Sequence, residues 1–243
     1  MARIFITGSA DGLGHLAAKL LVEQGHEIVL HARNAERGRE AMKKCPGAEK
    51  VLIADLSDME RTKQLAADVN ASGTFDAVIH NAGVYIASGK EIFTVNSLAP
   101  YILTCLITRP KRLIYLSSSS HLSGDPSLKN LDDTNRISYS DSKLHDVILS
   151  MAVARKWPGA YANALDPGWV PTKMGGRGAP DNLEKGYQTQ AWLAVSNEAA
   201  ALVSGCYFYH QKQSRYVVGA KDLAVQEKFL SRCEMISGVK FPG

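Results

Sequence analysis

Short apolar runs alternate with segments of helical length along this 243-residue chain. Most of these runs are rich in valine, isoleucine and leucine without polar alternation, which is typical of strands buried on both faces. The runs are Arg3–Thr7, Glu27–His31, Lys50–Ala54, Asp76–His80, Arg112–Ser117 and Tyr161–Leu165, with Cys206–His210 as a candidate seventh. Helical patterns such as Leu13–Gln24 and Asp58–Ala71 lie between them. The alternation predicts an α/β fold with a doubly wound parallel sheet of about seven strands and helices on both faces.

Length and composition fit one domain over residues 1–243. The chain is 45% hydrophobic and 21% charged, and its net charge of +4 is spread out, which argues against a nucleic-acid surface. The four cysteines are scattered without metal-ligand spacing, which favours a reducing compartment and no metal site. The chain opens on a strand-like run and has no long apolar segment. We therefore expect a cytoplasmic protein without a membrane span.

Unusual residues follow the carboxyl ends of the predicted strands, where parallel sheets bind ligands. In chain order they are Gly8-Ser9-Ala10-Asp11-Gly12-Leu13-Gly14, Asp55-Leu56, Asn81-Ala82-Gly83, Ser117-Ser118-Ser119-Ser120 and Pro167-Gly168. The glycine-rich loop permits a tight turn and a close backbone approach at the start of a helix, which suits a pyrophosphate. The pattern predicts a nucleotide site at this edge.

The end of the second predicted strand indicates which nucleotide binds. NAD sites usually carry an acid there, whereas this chain has Arg33 and Asn34. A guanidinium pairs well with a phosphate, so we predict NADP, with Ser9 as a further phosphate donor. Alternatively, Arg33 only begins a surface helix. Asp55 either accepts a bond from the adenine amino group or caps the helix that starts near Ser57.

Tyr139 and Lys143 are four residues apart in a predicted helix, so their side chains share one face. A nearby ammonium favours the ionised form of a phenol, and a phenol in that setting can exchange a proton near neutral pH. The pair is common by chance, and most such pairs lie on a solvated helix face. The position of the Tyr139–Lys143 pair after the fifth predicted strand is what favours a functional role over a chance occurrence.

Together these motifs resemble the short-chain dehydrogenase/reductase family. Its retinol-dehydrogenase-like and carbonyl reductase branch is especially similar, through Ser118-Ser119-Ser120-His121 and Ser142-Lys143-Leu144. The match covers about residue 3 to about residue 210, with Thr7-Gly8-x-x-x-Gly12-x-Gly14 and Asn96 among its elements. The resemblance implies a Rossmann-type fold and an NADP(H)-dependent oxidoreductase. Such an enzyme transfers a hydride between nicotinamide and a carbonyl or alcohol.

The resemblance also implies roles for four residues. Tyr139 would pass a proton to the carbonyl oxygen, and Lys143 would bind the nicotinamide ribose. Ser118 would hold the carbonyl oxygen, although any of the four serines is a candidate. Asn96 would position a water that continues a proton relay, or else it is a helix cap. The cofactor contacts would run from the glycine loop through Asn81-Ala82-Gly83 to Pro167, Gly168, Val170 and Thr172.

The resemblance implies that the segment after Pro167-Gly168 covers the nicotinamide and the substrate, and the glycines at 175, 176 and 178 indicate mobility there. Residues 171–191 would form a mobile lid, and Tyr85, His121, Trp169 and Trp192 are candidates for an aromatic pocket that suits an apolar aldehyde or ketone. Residues 125–136 would be an inserted loop. Pro100 and Pro110 would leave a short crossover helix, so a homodimer is possible and a monomer is not excluded. The alternative function is a non-catalytic NADP-binding redox sensor.

Overall fold

The computed structural model describes residues 1–242, which form one eight-stranded sheet with helices on both faces. The sheet order is β3-β2-β1-β4-β5-β6-β7-β8, and all neighbours are parallel except β7 and β8. The strands are β1 Arg3–Ile6, β2 Glu27–Ala32, β3 Lys50–Ile53, β4 Ala77–His80, β5 Arg112–Leu116, β6 Tyr161–Asp166, β7 Tyr207–Tyr209 and β8 Lys212–Gln213. The predicted doubly wound α/β fold is confirmed. The order reverses between β1 and β4, which places a crevice at that point of the carboxyl edge.

Within residues 1–242, eight α-helices connect or cover these strands. They are α1 Gly12–Glu23, α2 Ala35–Lys44, α3 Met59–Ala71, α4 Gly89–Phe93, α5 Ala99–Leu106, α6 Tyr139–Lys156, α7 Leu183–Val195 and α8 Leu223–Ser237. Helices α1 and α7 pack together on one face of the sheet, while α3, α5 and α6 cover the other. Among residues 1–242, no helix combines the length and the apolar character needed to cross a membrane.

Two details differ from the sequence prediction. Strand β8 was missed because its two residues, Lys212 and Gln213, are both exposed and show no apolar pattern. The expected short crossover helix is wrong, because α4 continues into α5 through a π-helical turn, Thr94–Leu98. In this turn the N–H of Ala99 bonds the carbonyl of Thr94, five residues back. Pro100 therefore lies at the start of α5, where its missing N–H is tolerated.

The C-terminal part of the chain covers α5 and α6. Phe229 and Cys233 of α8 are completely buried against the α6 core, and the hydroxyl of Tyr101 donates to the carbonyl of Val239 over 2.8 Å. The indole of Trp157 donates to the carbonyl of Pro242 over 3.0 Å. These contacts bury apolar surface of α6 within the chain. They do not test whether the chain is a homodimer or a monomer, so that question stays as the sequence left it.

Three buried histidines make stability depend on pH. Burial lowers the pKa of His31 and His145 to about 4 and that of His80 to about 3. An unfolded histidine binds a proton below about pH 6.5, so between that value and about 4 the unfolded chain holds more protons. Stability is therefore lost as pH falls through this window. We expect urea unfolding to show at least about 2 kcal/mol less stability at pH 5 than at pH 7. His80→Gln should reduce that difference, and an equal stability at both pH values would contradict the prediction.

Candidate active site

A cleft of about 380 Å³ opens along the carboxyl edge of the sheet, at the point between β1 and β4 where the strand order reverses. Thirteen of the predicted site residues line it: Gly8, Gly12, Leu13, Arg33, Asp55, Leu56, Asn81, Ala82, Gly83, Tyr139, Lys143, Pro167 and Thr172. The remaining predicted residues, Ser9, Gly14, Asn34, Asn96, Ser118, Gly168 and Val170, lie outside its lining. Among residues 1–242, no group of three potential metal ligands is present. The cleft therefore joins most of the motifs in one place.

The glycine loop is fastened to the end of β4. The hydroxyl of Thr7 accepts from the N–H groups of Asn81 and Ala82, both over 3.0 Å. The side-chain amide of Asn81 donates to the carbonyls of Thr7 and Gly8 over 2.9 and 3.2 Å. At Gly8, φ is +65°, and a Cβ would lie 2.8 Å from the Cα of Ala82. Two motifs that are far apart in sequence thus form one rigid corner of the cleft.

Substitution of Gly14 tests this corner. A Cβ at Gly14 would lie 2.3 Å from Nδ2 of Asn81, so Gly14→Ala must displace the amide that holds the loop. We expect the affinity for the predicted cofactor, NADPH, to fall about tenfold or more and the melting temperature to fall by several degrees. Gly159→Ala is a matched control, because nothing lies within 4 Å of a Cβ there. Equal behaviour of the two variants in fluorescence titration and thermal unfolding would contradict the expectation.

His31 is a site residue that the sequence reasoning did not identify. The N–H of Gly8 donates to its Nδ1 over 2.9 Å, so the ring proton lies on Nε2, which donates to the carbonyl of Ala54 over 3.0 Å. Burial lowers the pKa of this imidazole to about 4, so it remains neutral at physiological pH. His31 thereby ties the ends of β1, β2 and β3 together beneath the cleft. The sequence did not reveal this role, because it depends on the N–H of Gly8 and the carbonyl of Ala54, which only the fold brings to the two ring nitrogens.

Two guanidinium groups border the end of the cleft nearest β2. Arg33 is exposed there, and Arg37, which the sequence reasoning missed, lies one turn further along. Nη2 of Arg37 is 3.4 Å from Oδ2 of Asp11, and Nζ of Lys173 pairs with the same carboxylate. Burial opposes ionisation of Asp11, but hydrogen bonds from Lys173 and Gly12 lower its pKa. The spacing Asn34-x-x-Arg37 was the available signal, because it sets Arg37 on the first turn of α2.

Three of the predicted cofactor residues have other partners. Ser9 is fully buried, and its hydroxyl donates to the carbonyl of Ile6 and accepts from the N–H of His31, both over 2.9 Å. It is therefore not available as a phosphate donor. Asn34 caps α2 by accepting from the N–H of Arg37. Asp55 does line the cleft, and it accepts from Ser57, but the cap of α3 is Asp58. The capping alternative for Asp55 is wrong.

Tyr139 is held at the first position of α6 by a capping box. Ser138 accepts from the N–H of Asp141 over 3.0 Å, and Asp141 accepts from the N–H of Ser138 over 3.0 Å. The same carboxylate accepts from the N–H of Asp125 over 2.9 Å. Burial opposes its ionisation, but these hydrogen bonds lower the pKa of Asp141. The loop of residues 125–136 is therefore fastened to the helix turn that carries Tyr139.

Lys143 is buried one turn further along α6, 5% exposed. Its Nζ donates to the carbonyl of Leu116 over 2.6 Å and to Oδ2 of Asp146 over 2.9 Å. Nζ is also 5.7 Å from the ring centroid of Tyr139. Burial disfavours the ammonium, but the Asp146 carboxylate outweighs this effect, so the pKa of Lys143 is raised. A charged ammonium lies directly beneath the phenol, as the i, i+4 spacing predicted.

Asn96 lies in the π-helical turn between α4 and α5, in mid-helix, so the capping alternative is wrong. Its Oδ1 accepts from the N–H of Val84 over 2.8 Å, and its Nδ2 donates to Oγ of Ser142 over 3.0 Å. A Cβ at Gly83 would lie 3.4 Å from Oδ1 of Asn96 and 3.7 Å from Nζ of Lys143. The side chains of Asn96 and Lys143 thus approach each other beside Gly83, which has no side chain of its own to separate them. The water-positioning role of Asn96 stays a prediction.

The four serines have different surroundings. The hydroxyl of Ser117 lines the cleft but donates to the carbonyl of Lys143 over 2.7 Å. Ser118 is half-buried at the turn after β5, and its Oγ accepts from the N–H of Ser120 over 3.2 Å. Ser118 remains the predicted substrate contact. His121 is completely buried behind this turn against Tyr207, with ring centroids 4.5 Å apart, so it does not line the cleft.

The segment after β6 folds back over the cleft. The N–H of Trp169 donates to Asp181 over 2.6 Å, and the Trp169 indole donates to the carbonyl of Gly175 over 2.8 Å. The predicted lid at 171–191 needs a correction, because its second half belongs to α7, which packs on α1. Trp192 also lies there, packed on Phe208 at 5.6 Å, in the core between α7 and the sheet. Trp192 is therefore not a pocket residue.

Comparisons with known proteins fit this geometry. The family model "short chain dehydrogenase" matches residues 2–108. A short-chain dehydrogenase of Penicillium rubens, chyC, is 41% identical, and the match covers all of both chains. The chain belongs to the short-chain dehydrogenase family. An uncharacterized oxidoreductase of Emericella nidulans is 47% identical over all of both chains.

More distant matches agree with this assignment. Human retinol dehydrogenase 14 is 28% identical over 97% of this chain and 86% of its own, in keeping with the resemblance to that branch. The NADPH-bound carbonyl reductase from chicken fatty liver has the same fold, with a TM-score of 0.70 and 19% identity over 89% of this chain and 99% of that one. This short-chain dehydrogenase is an oxidoreductase, and its family uses nicotinamide cofactors.

Proposed function

We propose that this short-chain dehydrogenase is an NADP(H)-dependent carbonyl reductase or alcohol dehydrogenase that mainly reduces apolar aldehydes or ketones. The observation that carries the proposal is the content of the single cleft described above. It holds a glycine-rich loop and two guanidinium groups at one end and the phenol of Tyr139 above a charged Lys143 at the other. The Tyr139–Lys143 acid–base pair thus lies in the same cleft as the groups that would bind a nucleotide.

The groups along the cleft fit a nicotinamide dinucleotide phosphate. Gly8 and Gly12 have no side chains that would keep a ligand away from the main chain, and α1 begins at Gly12. A pyrophosphate can therefore approach the main-chain N–H groups at the start of this helix. Arg33 and Arg37 would hold the 2′-phosphate, because no acid follows β2 and both guanidinium groups border the cleft there. Asp55 and Leu56 would face the adenine. When bound, the cofactor supplies or accepts the hydride.

The chain's own residues would then move the proton and hold the substrate. Tyr139 donates its hydroxyl proton to the carbonyl oxygen during reduction and recovers a proton afterwards. The ammonium of Lys143 stabilises the phenolate that remains, because opposite charges in a buried site attract strongly. The hydroxyl of Ser118 donates to the carbonyl oxygen. Asn96 keeps the Val84 turn in place and orients a water towards Lys143.

The mouth of the cleft supports an apolar substrate. Tyr85 is 53% exposed and packs edge-on against Tyr139, with ring centroids 4.9 Å apart. Ile86, Trp169 and Met174 are also exposed, at 93%, 61% and 49%, on the loops that follow β4 and β6. Exposed apolar side chains that form a patch can mark a ligand-binding groove. We therefore infer that the carbonyl is presented by a bulky apolar molecule.

A substrate panel tests the proposal directly. Aldehydes, ketones, retinoids, steroids and sugars are each incubated with NADPH or NADH, and cofactor oxidation is followed by absorbance. We expect turnover of at least one apolar carbonyl compound and a higher kcat/KM with NADPH than with NADH. Turnover only of sugars, or a preference for NADH, would contradict the corresponding part of the proposal. Tight NADPH binding without any turnover would instead support a non-catalytic redox sensor.

A further inference from the structure

Asp146 is a buried carboxylate that none of the site motifs includes. It lies on α6, 3% exposed, one turn beyond Lys143, and its Oδ2 is 2.9 Å from Nζ of that residue. Among residues 1–242, it is the only carboxylate within ion-pair distance of Lys143. An exposed pair of this kind would contribute little, but this one is shielded from water on both sides. Its charge therefore acts at short range on the proton-transfer groups.

The surroundings make Asp146 the dominant negative charge near the pair. The other titratable groups that face it are Tyr115 on β5, Tyr207 on β7 and, beyond Lys143, Tyr139 on α6. Burial is the main cause that raises the pKa of Tyr115 and of Tyr207, so both remain neutral. Asn96 approaches from the π-helical turn but carries no charge. Burial raises the pKa of Asp146 itself to about 6, so above that pH the charges beneath Tyr139 are one ammonium and one carboxylate.

Buried ion pairs seldom stabilise a fold more than well-packed apolar residues would, so burial of this pair is weak evidence for a purely structural role. Lys143 is already anchored to β5, because its Nζ donates to the carbonyl of Leu116 and its own carbonyl accepts from Ser117. What Asp146 adds is charge. A nearby anion makes it harder to remove a proton from either Tyr139 or Lys143.

We propose that Asp146 is a positioning residue for the reaction, a buried counter-ion that holds the ammonium of Lys143 in place and keeps the Tyr139–Lys143 pair fully protonated at working pH. The inference rests on the proposed function. It implies that the charge of Asp146 sets the pH range over which the Tyr139–Lys143 pair can donate a proton. Because Tyr139 and Lys143 are coupled, the prediction concerns the first proton lost from the pair, whichever group loses it.

Asp146→Asn removes the charge and keeps a similar shape. Tyr139 and Asp146 are about two helical turns apart, roughly 10 Å, and Lys143 lies between them. Loss of the anion should shift the alkaline limb of the kcat/KM profile for carbonyl reduction to lower pH by about one unit. The same shift should appear without turnover, in the ultraviolet titration of tyrosinate. The titration is repeated with Tyr139→Phe, once in the natural protein and once together with Asp146→Asn. Subtracting each of these curves leaves the absorbance change of the Tyr139 phenol alone.

Two controls separate charge from shape. Asp146→Glu keeps the charge, so its alkaline limb should stay within a few tenths of a pH unit of the natural protein even if kcat falls. Glu227→Gln removes an acid that pairs with Arg155 and Lys156 at the far end of α6, and it should leave the profile unchanged. If Asp146→Asn does not fold, Asp146→Ser provides the same readout, with folding checked by circular dichroism and NADPH binding.

The outcomes are distinct. An unmoved alkaline limb and an unmoved tyrosinate titration in a folded neutral variant would overturn the role of Asp146, and so would an equal shift in Asp146→Glu. If the natural protein reduces no carbonyl compound, the proposed function fails, but the tyrosinate titration still decides the role of Asp146. If turnover is present and neither readout moves, only the inference about Asp146 fails.

Discussion

Tyr139→Phe should lower carbonyl-dependent NADPH oxidation by about 100- to 10,000-fold, the range that one positioned proton donor contributes. The ring is kept, so its contact with Tyr85 and the start of α6 should remain. NADPH affinity should change by less than about threefold, because the phenol supplies at most one contact to the nucleotide. Steady-state kinetics and NADPH fluorescence titration measure the two effects separately.

Tyr161→Phe is the matched control for this variant. Tyr161 begins β6 at the opposite edge of the sheet, so the loss of its hydroxyl should leave turnover unchanged. Full activity of Tyr139→Phe would exclude Tyr139 as the proton donor. A loss of NADPH binding equal to the loss of turnover would assign Tyr139 to the cofactor rather than to the chemistry.

Replacing Arg33 and Arg37 together with alanine should raise the KM for NADPH about 100-fold or more. Each hydrogen bond to a charged group contributes about 1.5–3 kcal/mol, and both guanidinium groups border the same end of the cleft. The KM for NADH should change by less than about threefold, because NADH lacks the 2′-phosphate. Kinetics with both cofactors therefore measure the contribution of the phosphate alone.

Arg39→Ala is the control for the arginine pair. Arg39 lies on the same helix α2 and is exposed, but it does not line the cleft. It should leave both KM values unchanged, which excludes a general effect of net charge. An unchanged ratio of NADPH to NADH preference in the double variant would remove Arg33 and Arg37 from the phosphate site.

The sequence predicted the framework well because buried parallel strands are continuous apolar runs. The first six predicted runs are all strands, with ends that agree to within one residue, and Cys206–His210 contains β7. Strand β8 and the π-helical turn carry no such pattern. The first is an exposed antiparallel pair, and the second depends on hydrogen bonds five residues apart around Asn96. Both were decided by local geometry that side-chain polarity does not encode.

The candidate site likewise contains residues that the sequence placed and residues that it misassigned. The glycine loop, Asn81, Tyr139 and Lys143 could be placed together in advance, because strand ends of a parallel sheet meet at one edge. Ser9 and Asn34 were assigned to the cofactor by their position in the chain, but the hydroxyl of Ser9 and Oδ1 of Asn34 are hydrogen-bonded to main-chain groups. Sequence distance from a motif does not determine the direction in which a side chain points.

By itself, the sequence determined the fold, the edge of the sheet that carries the cleft and the acid–base pair, since these follow from apolar periodicity and from i, i+4 spacing. Only the tertiary structure decided which polar groups are free to act. It joined His31 to Gly8 and Ala54, placed Arg37 against Asp11 at the cleft and enclosed Asp146 with Lys143 away from water. The physical reason is that burial and hydrogen-bond partners arise from segments distant in sequence, and these set both the charge of a side chain and its reach.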